Sequence, residues 1–186
     1  MKLTHLPLAL KSIGIAALIA VVFSAMITPV VFAGTEAKVM VLDFQLNDLT
    51  DLPNAPEELA RIAYLSSIFK QKLAENGVEI VPVNDRLKTE LSANSATYFF
   101  DRTALAAKLA EDSGADYLVI GVALKPTYLF VYPRILMVDI KTQQVVYASY
   151  VQLESSWSDK NTTAHSAEML AKKISAKLNE LTQQAN

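Results

Sequence analysis

Five carboxylates fall within sixteen residues of this chain: Asp43, Asp48, Asp51, Glu57 and Glu58. If the apolar run before them is a strand, they stand at its carboxyl end, where open α/β sheets receive their ligands. Several oxygen donors on one loop could hold calcium or a similar hard cation. The spacing fits no calcium-loop pattern, however, and no glycine supplies the sharp turn such a loop needs. The plainer reading is a solvated loop in which Asp43 bonds to backbone and Glu57 and Glu58 favour the start of a helix. Asp43, Asp48 and Asp51 are the candidate ligands if a divalent ion or small molecule binds.

Other reactive groups are scarce. His165 is the sole histidine after residue 33, with Glu168 three residues on, and one such pair is too few ligands for a transition metal. A surface position is expected for it. No Gly-x-Ser-x-Gly elbow is present. Past residue 33 only Gly34, Gly77, Gly114 and Gly121 remain, and no pair is spaced to cradle a phosphate. Cysteine is absent, so thiol chemistry and thiolate metal sites are excluded. The expectation is a protein that is not an enzyme, with no cofactor.

Aromatic residues offer a different kind of site. Tyr128, Phe130 and Tyr132 share one side of an extended segment by period-two spacing. They serve either as core under the helices or as an exposed patch for a protein partner, since such side chains are favoured at interfaces. Pro133-Arg134 next to them would interrupt regular pairing and leave an open edge for strand addition. Tyr128, Phe130, Tyr132 and Arg134 are therefore the partner-binding candidates.

The elements that must position these groups follow from punctuation and periodicity. Lys38–Phe44 reads as a first strand, apolar from Val39 to Leu42 as for a strand covered on both faces. Gln45 to Pro56 reads as a polar loop. Pro56-Glu57-Glu58 opens a helix whose stripe is Ile62, Leu65, Phe69 and Leu73, closed by Asn76-Gly77. Val78–Val83 is a second strand, which Pro82 either places at an edge or ends. Asp85–Leu91 forms a short helix, and a further helix from Asp101 or Thr103 to about Ser113 runs through Leu105, Leu109 and Ala110 before Gly114. Tyr117–Leu124, then about Tyr128–Ile140, then Gln144 to about Glu154 are three strands. The links Lys125-Pro126-Thr127 and Lys141-Thr142-Gln143 are too short for crossovers, which makes these strands an antiparallel meander. A last helix spans roughly Asn161–Gln183, with Ala167, Leu170, Ala171, Ile174, Leu178 and Leu181 buried. The predicted fold is α/β with α+β character: one mixed sheet, order β-α-β-α-β-β-β-α, with helices packed on it and the helix-linked strands parallel.

The first 33 residues have the pattern of an export signal. Lys2 and Lys11 precede an apolar run from Ile13 to Phe23, and Val31-Phe32-Ala33 predicts cleavage before Gly34. An uncleaved inner-membrane anchor is the alternative, since the uncharged stretch is long enough to span a bilayer. Residues 34–186 then form a single domain. It has 15 basic and 19 acidic residues, a net charge of −4, which argues against nucleic acid as a partner. The expected location is the periplasm.

Three segments carry a resemblance. They are Val39-Met40-Val41-Leu42-Asp43-Phe44, Gly114-Ala115-Asp116-Tyr117-Leu118-Val119-Ile120-Gly121, and Leu136-Met137-Val138-Asp139-Ile140-Lys141-Thr142. Their order and wording resemble the exported bacterial α/β domains typified by the N-terminal domain of TolB and the periplasmic domain of the curli secretion protein CsgG. Gln143 stands where that group usually has glycine. The loop from Asp48 to Ala60 is similar to that of a bacterial family of exported proteins of unknown function with this fold. The resemblance spans nearly all of 38–182. It implies a non-enzymatic protein-interaction or assembly module of the cell envelope, with an envelope protein as partner, homo-oligomers as a further option, and no membrane span after cleavage. A small-ligand or divalent-metal binder using the acidic loop is the alternative.

Overall fold

The apolar run Val39–Leu42 lacks alternation because both faces of the sheet it enters are covered. In the computed structural model, which describes residues 37–153 and 157–185, Val39 and Val41 face one core while Met40 and Leu42 face another. This run forms β1 (Lys38–Val41), the first of six strands. It is followed by β2 (Gln45–Asp48), α1 (Pro56–Glu75), β3 (Glu79–Val81), α2 (Asp85–Ala93), α3 (Tyr98–Asp101) and α4 (Thr103–Ala110). A 3₁₀ turn (Glu111–Ser113) leads to β4 (Tyr117–Lys125), β5 (Tyr132–Asp139), β6 (Gln144–Tyr150) and α5 (Lys160–Ala185).

The sheet order is β3-β1-β4-β5-β6. The helix-linked strands β3, β1 and β4 are parallel, and β4, β5 and β6 form the antiparallel meander expected from their short links. The edge position of β3 next to Pro82 also holds. The predicted signal segment and its cleavage point lie outside the described residues.

The two cores differ in their lids. On one face α1 supplies Ile62, Leu65, Phe69 and Leu73, and α5 supplies Leu170, Ile174 and Leu178 over Val119, Ile135 and Met137. On the other, Leu87, Phe99, Ala106, Ala107 and Ala110 cover Leu118, Ile120, Val138 and Ile140. The stripe of α4 differs from the expected one in part: Ala110 and Leu109 pack into this core as expected, but Leu105 does not. Leu105 is exposed and three alanines face the sheet, because small side chains let this short helix sit close to the strands.

One strand stands where the composition predicts a loop. Gln45–Asp48 is β2, and it pairs with Val122–Lys125 of β4 in parallel register. The chain therefore uses one flank of β4 twice, first with β1 and then with β2, across a break at residues 42–44. Phe44 closes the break. Its N–H donates to Ser66 Oγ at 2.9 Å, and its ring meets Phe69 edge-on at 5.4 Å. Gly121 lies beneath that ring, where a Cβ would come within 2.6 Å of it. Absence of a side chain is what lets the ring lie on the strand.

The meander's turns follow side-chain chemistry. Asp139 Oδ1 accepts from Thr142 N–H at 2.7 Å, and Gln143 takes the left-handed conformation at φ 58°. The expected β strand from Tyr128 begins only at Tyr132, and residues 126–131 form the hairpin loop. Strand β6 ends at Tyr150, short of the expected Glu154, which lies outside the described residues.

Gly121→Ala should lower the unfolding free energy by about 1–3 kcal/mol through overpacking against Phe44. Urea unfolding of Gly121→Ala, Phe44→Leu and the double variant should show a double loss smaller than the sum of the singles, because both changes act on one contact.

Candidate functional site

Strand β2 places Asp48 directly beside Lys125, the last paired residues of their ladder. Both side chains are buried, at 0% and 4% exposure, and Lys125 Nζ lies 3.3 Å from Asp48 Oδ2. Glu58, in the first turn of α1, brings Oε1 to 3.2 Å from the same ammonium. Arg61, one turn later, approaches Glu58 Oε1 at 3.3 Å. The indole N–H of Trp157, on the link before α5, donates a short hydrogen bond to Glu58 Oε2. Asp48 Oδ1 is filled by Thr50, whose N–H and Oγ1 donate at 3.0 and 2.8 Å. Two cations and two carboxylates are thus paired in a mostly dry setting, tying β2, β4, α1 and the α5 link together.

Burial pulls the Lys125 ammonium down, and hydrogen bonds from it to Glu58 and Asp48 more than offset this, so its pKa lies above the usual lysine value. Burial likewise pushes Asp48 up, and bonds from Thr50 and Lys125 outweigh it, leaving the carboxyl below its usual value. At neutral pH Lys125 has no lone pair to attack with and Asp48 no proton to give. The cluster is built to hold shape.

The shape it holds is the β4–β5 hairpin. Tyr128 lies over Lys125, with Nζ 5.6 Å from the ring centre, and Phe130 stacks on Tyr132 at 6.5 Å. Leu49, following β2, donates its N–H to the carbonyl of Lys125 at 3.0 Å, so the two loops stay side by side. Their tips expose apolar side chains: Leu49 62%, Leu52 73%, Tyr128 59%, Leu129 79% and Phe130 52%. Below the tips opens a recess of about 380 Å³ lined by Glu58, Arg61, Tyr128, Phe130, Tyr132 and Trp157. Arg61 stacks over the indole there at 5.7 Å.

The residues singled out from sequence meet different fates. Asp43 is exposed and pairs with Lys70 at 2.6 Å. Asp48 is buried in the ion cluster, and Asp51 is exposed on the loop. The acidic loop is therefore divided among separate roles. Among the described residues no three His, Asp or Glu side chains are grouped to hold a metal ion. Tyr128, Phe130 and Tyr132 do come together. Arg134 turns instead to Phe100, 5.1 Å from the ring centre. Pro133 and Arg134 open no edge, because β5 is an interior strand paired with both β4 and β6. His165 is exposed on α5, as expected. Lys125, Arg61 and Trp157 had no signal in the sequence: Lys125 meets Asp48 through a ladder with a segment that reads as loop, and Arg61 meets Trp157 where α1 reaches the link before α5.

Lys125→Met would leave two carboxylates beside each other with one cation too few, and should cost about 3–5 kcal/mol in urea unfolding. The pH profile separates charge from packing. Asp48 has a lowered pKa, so its contribution is present above the ordinary value of 3.8 and is lost as pH falls through its lower native one. Lys125 has a raised pKa, so its share persists until pH passes the ordinary 10.5 and rises through the native value. The wild type should thus be flat across neutral pH and weaken in acid. In Lys125→Met the sign reverses: Asp48 has lost its cation while Glu58 keeps Arg61, acid neutralises Asp48, and stability should rise as pH drops toward 5, measured by urea midpoints.

Among solved structures, the chain is similar to the PelC dodecamer from Paraburkholderia phytofirmans, at 15% identity and a TM-score of 0.46, covering 77% of this chain and 86% of that one. It is similar to lipoprotein GNA1162 from Neisseria meningitidis, at 15% identity and a TM-score of 0.45, covering 78% and 96%. TolB from Acinetobacter baumannii is also similar, at 17% identity and a TM-score of 0.43, covering 76% of this chain and 28% of that one. No curated protein matches. Residues 37–174 match the family described as "Protein of unknown function (DUF2380)", and the chain belongs to that family.

Proposed function

We propose that this protein is a non-enzymatic accessory module of the cell envelope, exported to the periplasm, that binds a partner protein through the apolar tips of the β2–α1 loop and the β4–β5 hairpin. One observation carries this reading: five large apolar side chains lie exposed on two loops that are bonded to each other. Scattered exposed leucines are ordinary, but a grouped apolar patch on a monomer marks an interaction site. The cluster beneath supports the same reading. A loop held by buried ion pairs, with a backbone bond to its neighbour, loses little freedom on binding, which favours affinity.

The recess under the tips adds a socket. Its lining combines the rings of Tyr128, Phe130, Tyr132 and Trp157 with Arg61 and Glu58, a setting that suits an anchoring side chain from the partner. The location rests on the export pattern of the first 33 residues. No helix among the described residues is long and apolar enough to cross a membrane.

The test is a paired capture from envelope extract with wild type and the Leu129→Ser/Phe130→Ser variant, after circular dichroism confirms that both are folded. A partner should be recovered by the wild type and fall by about tenfold with the variant, the size expected when central anchors are lost. Recovery of the same proteins in the same yield from both would refute the assignment of the hairpin.

A further inference from the structure

The sheet has two edges, and they are defended to different degrees. Strand β3 is three residues long, is followed by Pro82, and lies where Lys38 pairs with Glu79 at 3.1 Å. Shortness, proline and charge are the devices that keep an edge from pairing. Strand β6 has seven residues, and from Thr142 to Leu153 the chain contains no charge and no proline. A register shift opposite Met137 and Val138 leaves Val146 unmatched, which confines the regular edge to the part from Tyr147 onward.

The ladder phase shows what that edge offers. Val151 N–H donates to the Pro133 carbonyl, so Val151, Ser149 and Tyr147 bond inward to β5. Ala148 and Tyr150, the alternate residues, then turn their N–H and C=O groups outward. No strand lies beyond β6 among the described residues. One outward group is occupied: Lys173 Nζ donates to the Tyr150 carbonyl at 3.0 Å and to Ser149 Oγ at 3.1 Å. Helix α5 extends along this edge and forms a wall. Between wall and edge runs a groove of about 650 Å³ lined by Ala148, Tyr150, Thr162, His165, Met169 and Lys173, and no carboxylate is among its described lining residues.

We propose that this edge takes up an extended, acidic segment of a partner protein as an added strand, with a carboxylate of that segment meeting Lys173. Backbone pairing with both groups of Ala148 and with the N–H of Tyr150, whose carbonyl Lys173 already occupies, supplies the hydrogen bonds common to strand addition. Lys173 supplies the selection. Among the groove's described lining residues it is the one fixed cation, with no carboxylate beside it. A second copy of this chain is disfavoured by the same residue. Antiparallel pairing of β6 with its own copy about Ser149 would bring the two Lys173 ammonium groups together, and like charges placed opposite each other repel.

The experiment uses the protein and three capped heptapeptides. The first reads Thr-Val-Thr-Glu-Thr-Val-Thr, the second has lysine for glutamate, and the third is the first with alternate backbone nitrogens methylated. Binding is followed by amide NMR. The glutamate peptide should shift the Ala148 and Tyr150 amides and slow their exchange. The lysine peptide should bind about threefold more weakly, the scale of a half-exposed ion pair, and Lys173→Glu should reverse that order. The methylated peptide should not bind. The Leu129→Ser/Phe130→Ser variant should bind the glutamate peptide normally, which separates this groove from the hairpin. Any of three results would overturn the proposal: no shift at Ala148 and Tyr150 with millimolar glutamate peptide, equal binding of the glutamate and lysine peptides, or concentration-dependent dimerisation that shifts those amides without peptide.

Discussion

A lysine ammonium removed from water is tolerable only if its charge is answered, and that requirement organises one end of this molecule. Lys125 is answered by Asp48 from the neighbouring strand and Glu58 from the helix that follows. Glu58 in turn holds Arg61 and the indole of Trp157. Three stretches far apart in sequence, 48–61, Lys125 and Trp157, are thus fixed relative to one another by groups that cannot be separated without stranding a charge. The cluster is no substitute for the hydrophobic cores, which hold the sheet. Its effect is local: it specifies where β2 ends, where α1 begins and how the hairpin stands.

That specification gives the exposed aromatic and aliphatic side chains a fixed presentation. A floppy apolar loop would collapse onto the nearest surface. Here the loop stands on Lys125, under the ring of Tyr128, and is bonded to its neighbour through Leu49. The apolar tips and the uncharged flank of β6 are separate features of one scaffold. One is positioned by ion pairs, the other by the phase of a hydrogen-bond ladder.

Much of this architecture is legible in the residues. The helices and the meander carry their own periodicity and turn signals, so α1, α5 and β4 to β6 follow from pattern alone. Pro82 correctly marks an edge. The main differences come from pairing between segments distant in sequence. Gln45–Asp48 has the composition of a turn and becomes a strand only because β4 offers a free flank. Lys125, read as the start of a turn, becomes a buried charge because that strand brings Asp48 to it. Tyr128 and Phe130 alternate as a strand would, yet no neighbour pairs with them, and they remain in the loop. The expected stripe of α4 slipped because packing distance favoured Ala106 and Ala107 over Leu105.

The pairing of α1 with α5 has a consequence for how the chain comes to be folded. The first core needs Phe69 and Leu73 from one helix and Leu170, Ile174 and Leu178 from the other, and Asn76 reaches Ser175 across 99 residues of sequence. Contacts of such long range must wait for both partners. Until α5 docks, one face of the sheet has no complete lid, so this core closes late in folding rather than piece by piece along the chain.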